Sequence, residues 1–103
     1  MAHIFGQEYN QSNGATLNIQ GDSFENCTFV GIVLNCKGEV KFLNCVIIDC
    51  TILGGNLEFY GGNCVNLNVE PQTIKFDEDV QTSALHIKQS NLSGKGVIGV
   101  EFC

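Results

Sequence analysis

Positive charge is scarce in this chain. Five basic residues face eleven acidic ones, only Lys37 and Lys41 precede position 70, and the formal charge is -6. Nucleic acid and anionic membranes are held by positive patches that displace counterions, so direct binding to either is not expected. No 18 apolar residues follow one another. The start, "MAHIFGQEYNQSNG", has no Lys or Arg and no apolar run of signal-peptide length. A cytoplasmic protein with no membrane partner is the expectation. The six cysteines lack CxxC spacing, and His3 and His86 are far from them in sequence, which argues against structural zinc. They read as buried free thiols, since reduced cysteine packs as a small hydrophobe. There is no phosphate-cradling glycine motif, and no cofactor or metal is expected.

What the chain does contain is a period. The 103 residues suit one domain. From Leu17 they divide into fives, LNIQG, DSFEN, CTFVG, IVLNC, then three extra residues KGE, then VKFLN, CVIID, CTILG, GNLEF, YGGNC, VNLNV; after a gap come LHIKQ, SNLSG, KGVIG and VEFC. Thirteen of the fourteen third positions are large and apolar, Gly62 being the exception. The first position is small or apolar except at Asp22 and Lys95. An inward, outward, inward triplet followed by two turn residues is a strand fragment that bends every fifth residue. Four such fragments close a coil, and stacked coils satisfy each other's backbone groups. The expected class is all-β, a short right-handed parallel β-helix of 3–4 coils.

These units resemble the pentapeptide-repeat proteins, whose repeats read A(D/N)LXX. The resemblance covers about 72 of the 103 residues and implies a right-handed quadrilateral β-helix. Asn or Asp at the second position is found only at Asn18, Asn56, Asn66 and Asn91. A second reading keeps a parallel β-helix with coils of irregular length, because Asn26, Asn44 and Asn63 recur at spacings of 18 and 19 and would form a corner ladder. In the four-unit coil, Cys27 and Cys50 lie one above the other on successive coils, Cys45 points inward on a neighbouring face, and Cys36, Cys64 and Cys103 fall at corners or outward as the more reactive thiols.

Residues 1–14 are expected to cap the first coil, 15–69 to form coils, 70–84 to make an irregular acidic loop anchored by Ile74 and Phe76, and 85–103 to form the last coil. An open coil end carries unpaired strand groups. The apolar final coil therefore suggests a homodimer through a coil end.

For function, His86 lacks a nucleophile signature nearby, and Asp49 with Glu58 is the one candidate carboxylate pair for glycosidic chemistry. Asp77, Glu78 and Asp79 lack the spacing of a calcium loop. A non-enzymatic role is expected. Partner-binding candidates are the outward carboxylates Glu25, Asp49, Glu58 and Glu101 with the loop cluster Glu70, Asp77, Glu78 and Asp79. Pentapeptide-repeat proteins of the quinolone-resistance type look like a rod of DNA and inhibit gyrase. That resemblance implies an acidic inhibitor or DNA-mimic decoy for a basic, nucleic-acid-handling protein, possible also for a phage product aimed at host defence. The alternatives are an assembly module that oligomerises through coil ends and a carbohydrate-active or carbohydrate-binding β-helix.

Overall fold

The computed structural model describes residues 2–88 and, as backbone, the strands Leu92–Gly94 and Val100–Phe102. The chain winds as a parallel β-solenoid of about 5 turns rather than 3–4. Each coil contributes three strand segments. The first coil holds β1 (His3–Phe5), β2 (Glu8–Tyr9) and β3 (Thr16–Gln20); the second β4 (Ser23–Glu25), β5 (Thr28–Val30) and β6 (Val33–Lys37); the third β7 (Glu39–Leu43), β8 (Val46–Ile48) and β9 (Thr51–Leu53). Then come β10 (Asn56–Tyr60) with the long β11 (Asn63–Glu70), β12 (Thr73–Phe76) with β13 (Gln81–Ile87), and finally β14 (Leu92–Gly94) and β15 (Val100–Phe102). One side of the solenoid runs β1-β4-β7-β10-β12-β14, the second β2-β5-β8-β11-β13, and the third β3-β6-β9 continued by the second halves of β11 and β13.

The five-residue step is real within a coil. It does not set the coil length. Inward residues fall at Phe24, Phe29, Leu34, then Phe42, Ile47, Ile52, then Phe59, Cys64, Val69, all buried. Two fives are followed by a step of seven or eight, so the contacts between neighbouring rungs are Phe24↔Phe42, Phe42↔Phe59 and Leu34↔Ile52. The coil therefore has three sides, not the four the repeat suggested. Leu57 kept the apparent phase because β10 buries two residues, Leu57 and Phe59.

Bends are made by residues with positive φ, a conformation cheap only for glycine and tolerated by Asn and Asp. Gly6, Asn26, Asn44 and Gly61 form one corner, and Gly31, Asp49, Asn66 and Ala84 a second. The backbone is paired there too: Asn26 N donates to Leu43 O and Asn44 N to Tyr60 O, both at 2.8–2.9 Å. The expected Asn26–Asn44 ladder forms, but Gly61 takes the next place and Asn63 lies on β11, in register with Val46.

Inside, columns of like residues fill the axis. Phe24, Phe42, Phe59 and Phe76 stack with ring planes within 14° of parallel and centroids 4.9–5.6 Å apart. Offset aromatic pairs of this kind add to what area burial alone contributes. Tyr9 extends a second column over Phe29 at 5.0 Å.

Several expectations are corrected by the coil length. Cys27 lies one rung from Cys45 rather than under Cys50, since Val46 N donates to Cys27 O; Cys50 sits over Ile32, because Thr51 N donates to Ile32 O. Cys36 and Cys64 point inward and are buried, not exposed at corners, and Cys103 lies outside the described residues. Residues 1–14 supply β1 and β2 of a full coil instead of a lid across it. The stretch 70–84 holds β12 and half of β13 instead of a loop, leaving the bend at 71–72 and the turn at 77–80 irregular. The side chains of Leu92, Val97 and Phe102 lie outside the described residues.

Candidate binding surface

Alternation along each strand turns every second side chain outward, and parallel stacking lines those up by column. On the first side one outward column reads His3, Ser23, Lys41, Glu58, Lys75 and the next reads Phe5, Glu25, Leu43, Tyr60. Glu58 is thus flanked in register by two lysines. Lys75 Nζ sits 5.6 Å from the Tyr60 ring centroid, within cation–π range. Glu25 Oε1 pairs with His3 Nε2 at 3.0 Å.

Where this side meets the first corner, Glu25, Leu43, Asn44, Tyr60, Gly61, Asp77 and Asp79 line one shallow depression. Its floor is tied by backbone donors. Asp77 Oδ1 accepts from Gly61 N at 3.1 Å and from Asp79 N at 3.0 Å, which fixes the turn and presents the acids in a set arrangement. The Tyr60 hydroxyl donates to Glu58 Oε1. That hydrogen bond, with burial and the charges of Glu58 and Asp77, raises the Tyr60 pKa, so it is a neutral donor at physiological pH. Glu78 is exposed at the crest of the same turn.

Five of the eight candidate carboxylates, Glu25, Glu58, Asp77, Glu78 and Asp79, are therefore brought to one corner. The others are not. Asp49 stands at the second corner, where it accepts a 2.8 Å bond from Asn66 Nδ2. Glu70 ends β11 on the third side and is exposed. Glu101 belongs to β15 in register with His86, and its side chain lies outside the described residues. Asp49 and Glu58 occupy different sides, so the pairing considered for glycosidic chemistry does not form. Tyr60 was not singled out by sequence, and Asn44 only as a member of the corner ladder, not of a binding surface. The available signal was that Tyr60 is a bulky polar aromatic at a position that is mostly small or aliphatic.

The remaining surface contrasts with this corner. The outward residues of the second side include Thr28, Val30, Val46, Ile48 and Val65, uncharged, with Val30 and Val65 exposed. The third side carries a polar ladder in which Asn35 Nδ2 donates to Asn18 Oδ1 at 3.3 Å. Three of the described thiols offer little chemistry: burial pushes Cys36 and Cys64 up to about 12 and Cys45 up to about 11. Among the described residues no group of three or more His, Cys, Asp or Glu side chains is placed to hold a metal ion, and no helix is long and apolar enough to cross a membrane.

Comparison of the chain with protein-family models, curated proteins and solved structures finds no match in any of the three.

Proposed function

We propose that this protein is a non-catalytic binding module whose first corner engages a basic segment of another protein. The observation that carries the reading is the gathering of Glu25, Asp77 and Asp79 around the Tyr60 depression, with Glu58 and Glu78 beside it. A rigid solenoid suits such a role, because side chains held on hydrogen-bonded rungs lose little further freedom on binding. A nucleic-acid-handling protein is one natural source of a basic segment. The acidic strip is short, however. Lys41 and Lys75 interrupt the neighbouring column, so a contact with a few cationic side chains fits better than imitation of a long phosphate ladder.

Exposed ion pairs are worth about 0.2–1 kcal/mol each. Several acting together give about 1–3 kcal/mol, or roughly 5- to 150-fold in affinity. The test is fluorescence anisotropy of a labelled oligolysine peptide across a salt series. Reversing Asp77, Glu78 and Asp79 to Lys should weaken binding at least about tenfold, whereas the same charge change at Glu8, Glu39 and Glu70 should have a much smaller effect. Equal losses in both variants would reduce the effect to net charge and refute the corner as a site.

A further inference from the structure

Among the described residues no further rung covers the first coil. β1, β2 and β3 are each the terminal member of their strand series, so all three sides stop at an edge strand. The core stops there as well. Ile4, Tyr9 and Leu17, one from each side, are only partly buried, while the residues one rung below them, Phe24, Phe29 and Leu34, are 0% exposed. The end of the column is therefore an apolar triangle framed by backbone hydrogen-bonding groups.

The direction of those groups follows from the ladder. Ser23 N donates to Ala2 O and Gly6 N to Glu25 O, so the even-numbered residues of β1 face the second coil and the amides of His3 and Phe5 face the open end. On β3, Val33 N donates to Ala15 O and Gly21 N to Lys37 O, which turns the amides of Thr16 and Asn18 the same way. Proteins usually guard such edges with lysine or proline, and residues 2–20 contain neither.

We infer that this N-terminal rung is an interaction surface for a second copy of the chain, docked head to head about a two-fold axis. Two observations select that occupant. A three-sided rung with corners is matched in outline by another three-sided rung, which a two-fold axis supplies with the strands antiparallel. The charge also permits it: of eleven acidic residues only Glu8 lies within 2–20, and the two acids that reach the rung from below are engaged, Asp22 by the Ala2 amide and Glu25 by His3. The molecule measures 30 × 24 × 22 Å. An end of that breadth covers on the order of 500 Å² per partner, less than the roughly 800 Å² of a stable interface, so half-association is expected between about 10 μM and 1 mM. This contact does not involve the acidic corner.

Sedimentation equilibrium on the full chain tests it. The mass should rise from 11.2 kDa toward twice that value as concentration increases to about 1 mM, and the variant Phe5→Pro with Thr16→Pro should stay monomeric with an unchanged circular dichroism spectrum. Hydrogen exchange on the unaltered protein gives a second reading that needs no substitution: protection at His3, Phe5, Thr16 and Asn18 should increase with concentration. A monomer throughout, growth beyond a dimer, or exchange at these amides that ignores concentration would each overturn the inference. Reversing Asp77, Glu78 and Asp79 should leave the association in place, and its loss there would move the contact to the corner.

Discussion

Phe42 on β7 and Phe59 on β10, which pair in register, lie with ring centroids 4.9 Å apart and planes 12° from parallel. The contact ties two successive coils, and Phe59 repeats it with Phe76 at 4.9 Å. Phe59 is 1% exposed. Truncating a buried Phe costs about 3–5 kcal/mol through lost transfer energy and the cavity left behind. Phe59→Ala should lower the urea midpoint by a corresponding amount without changing the slope, while Phe59→Leu should lose less. A change below about 1 kcal/mol for the alanine variant would mean the column is not packed this way.

Corner conformations give opposite signs at two sites. Ala84 has φ +54 where its column holds Gly31, Asp49 and Asn66. Left-handed backbone costs a residue with a Cβ roughly 1–2 kcal/mol, partly offset by the extra unfolded freedom of glycine. Ala84→Gly should therefore stabilise by about 0.5–1 kcal/mol in chemical denaturation. Gly62→Ala should do the reverse by more than about 1 kcal/mol, because φ is +82 and an added Cβ would run into the carbonyl oxygen of Cys45.

The thiols supply a pH signature. Cys36 and Cys64 are raised to about 12 from 9.0 by burial. Between those values the unfolded chain releases the proton and the folded chain keeps it, so stability is fully present below pH 9 and falls as pH rises toward about 12. Denaturation across alkaline pH should show this decline, and it should be shallower in Cys64→Val. Iodoacetamide at pH 8 should leave Cys36 and Cys64 unmodified in the folded protein and label them in urea, as read by mass spectrometry.

Much of the fold was legible because a short strand fragment leaves a local mark. Ile19, Phe24, Phe29, Leu34, Phe42, Ile47 and Ile52 were all expected inward and are all buried. Coil length was not legible, since it depends on how much chain crosses the third corner. The KGE stretch shows that crossing once, at Lys37 to Glu39. On the next rung Gly54 and Gly55, both with positive φ, make it without breaking the count of fives, because Leu57 also points inward. The error then spread to the cysteines, whose stacking partners depend on the offset between rungs. The acidic corner was partly visible as a list of carboxylates. Which of them meet was hidden, because Glu25, Glu58 and Asp77 are brought to one corner only by the register of the three-sided coil.

The decisive measurement is therefore the register itself, read by nuclear magnetic resonance as scalar couplings across backbone hydrogen bonds. Couplings from the Asn26 amide to the Leu43 carbonyl, from Asn44 to Tyr60 and from Asp49 to Val65 are expected. Couplings at the wider offsets of a four-sided coil, or between residues four apart as in a helix, would contradict the three-sided solenoid and scatter the acidic corner with it.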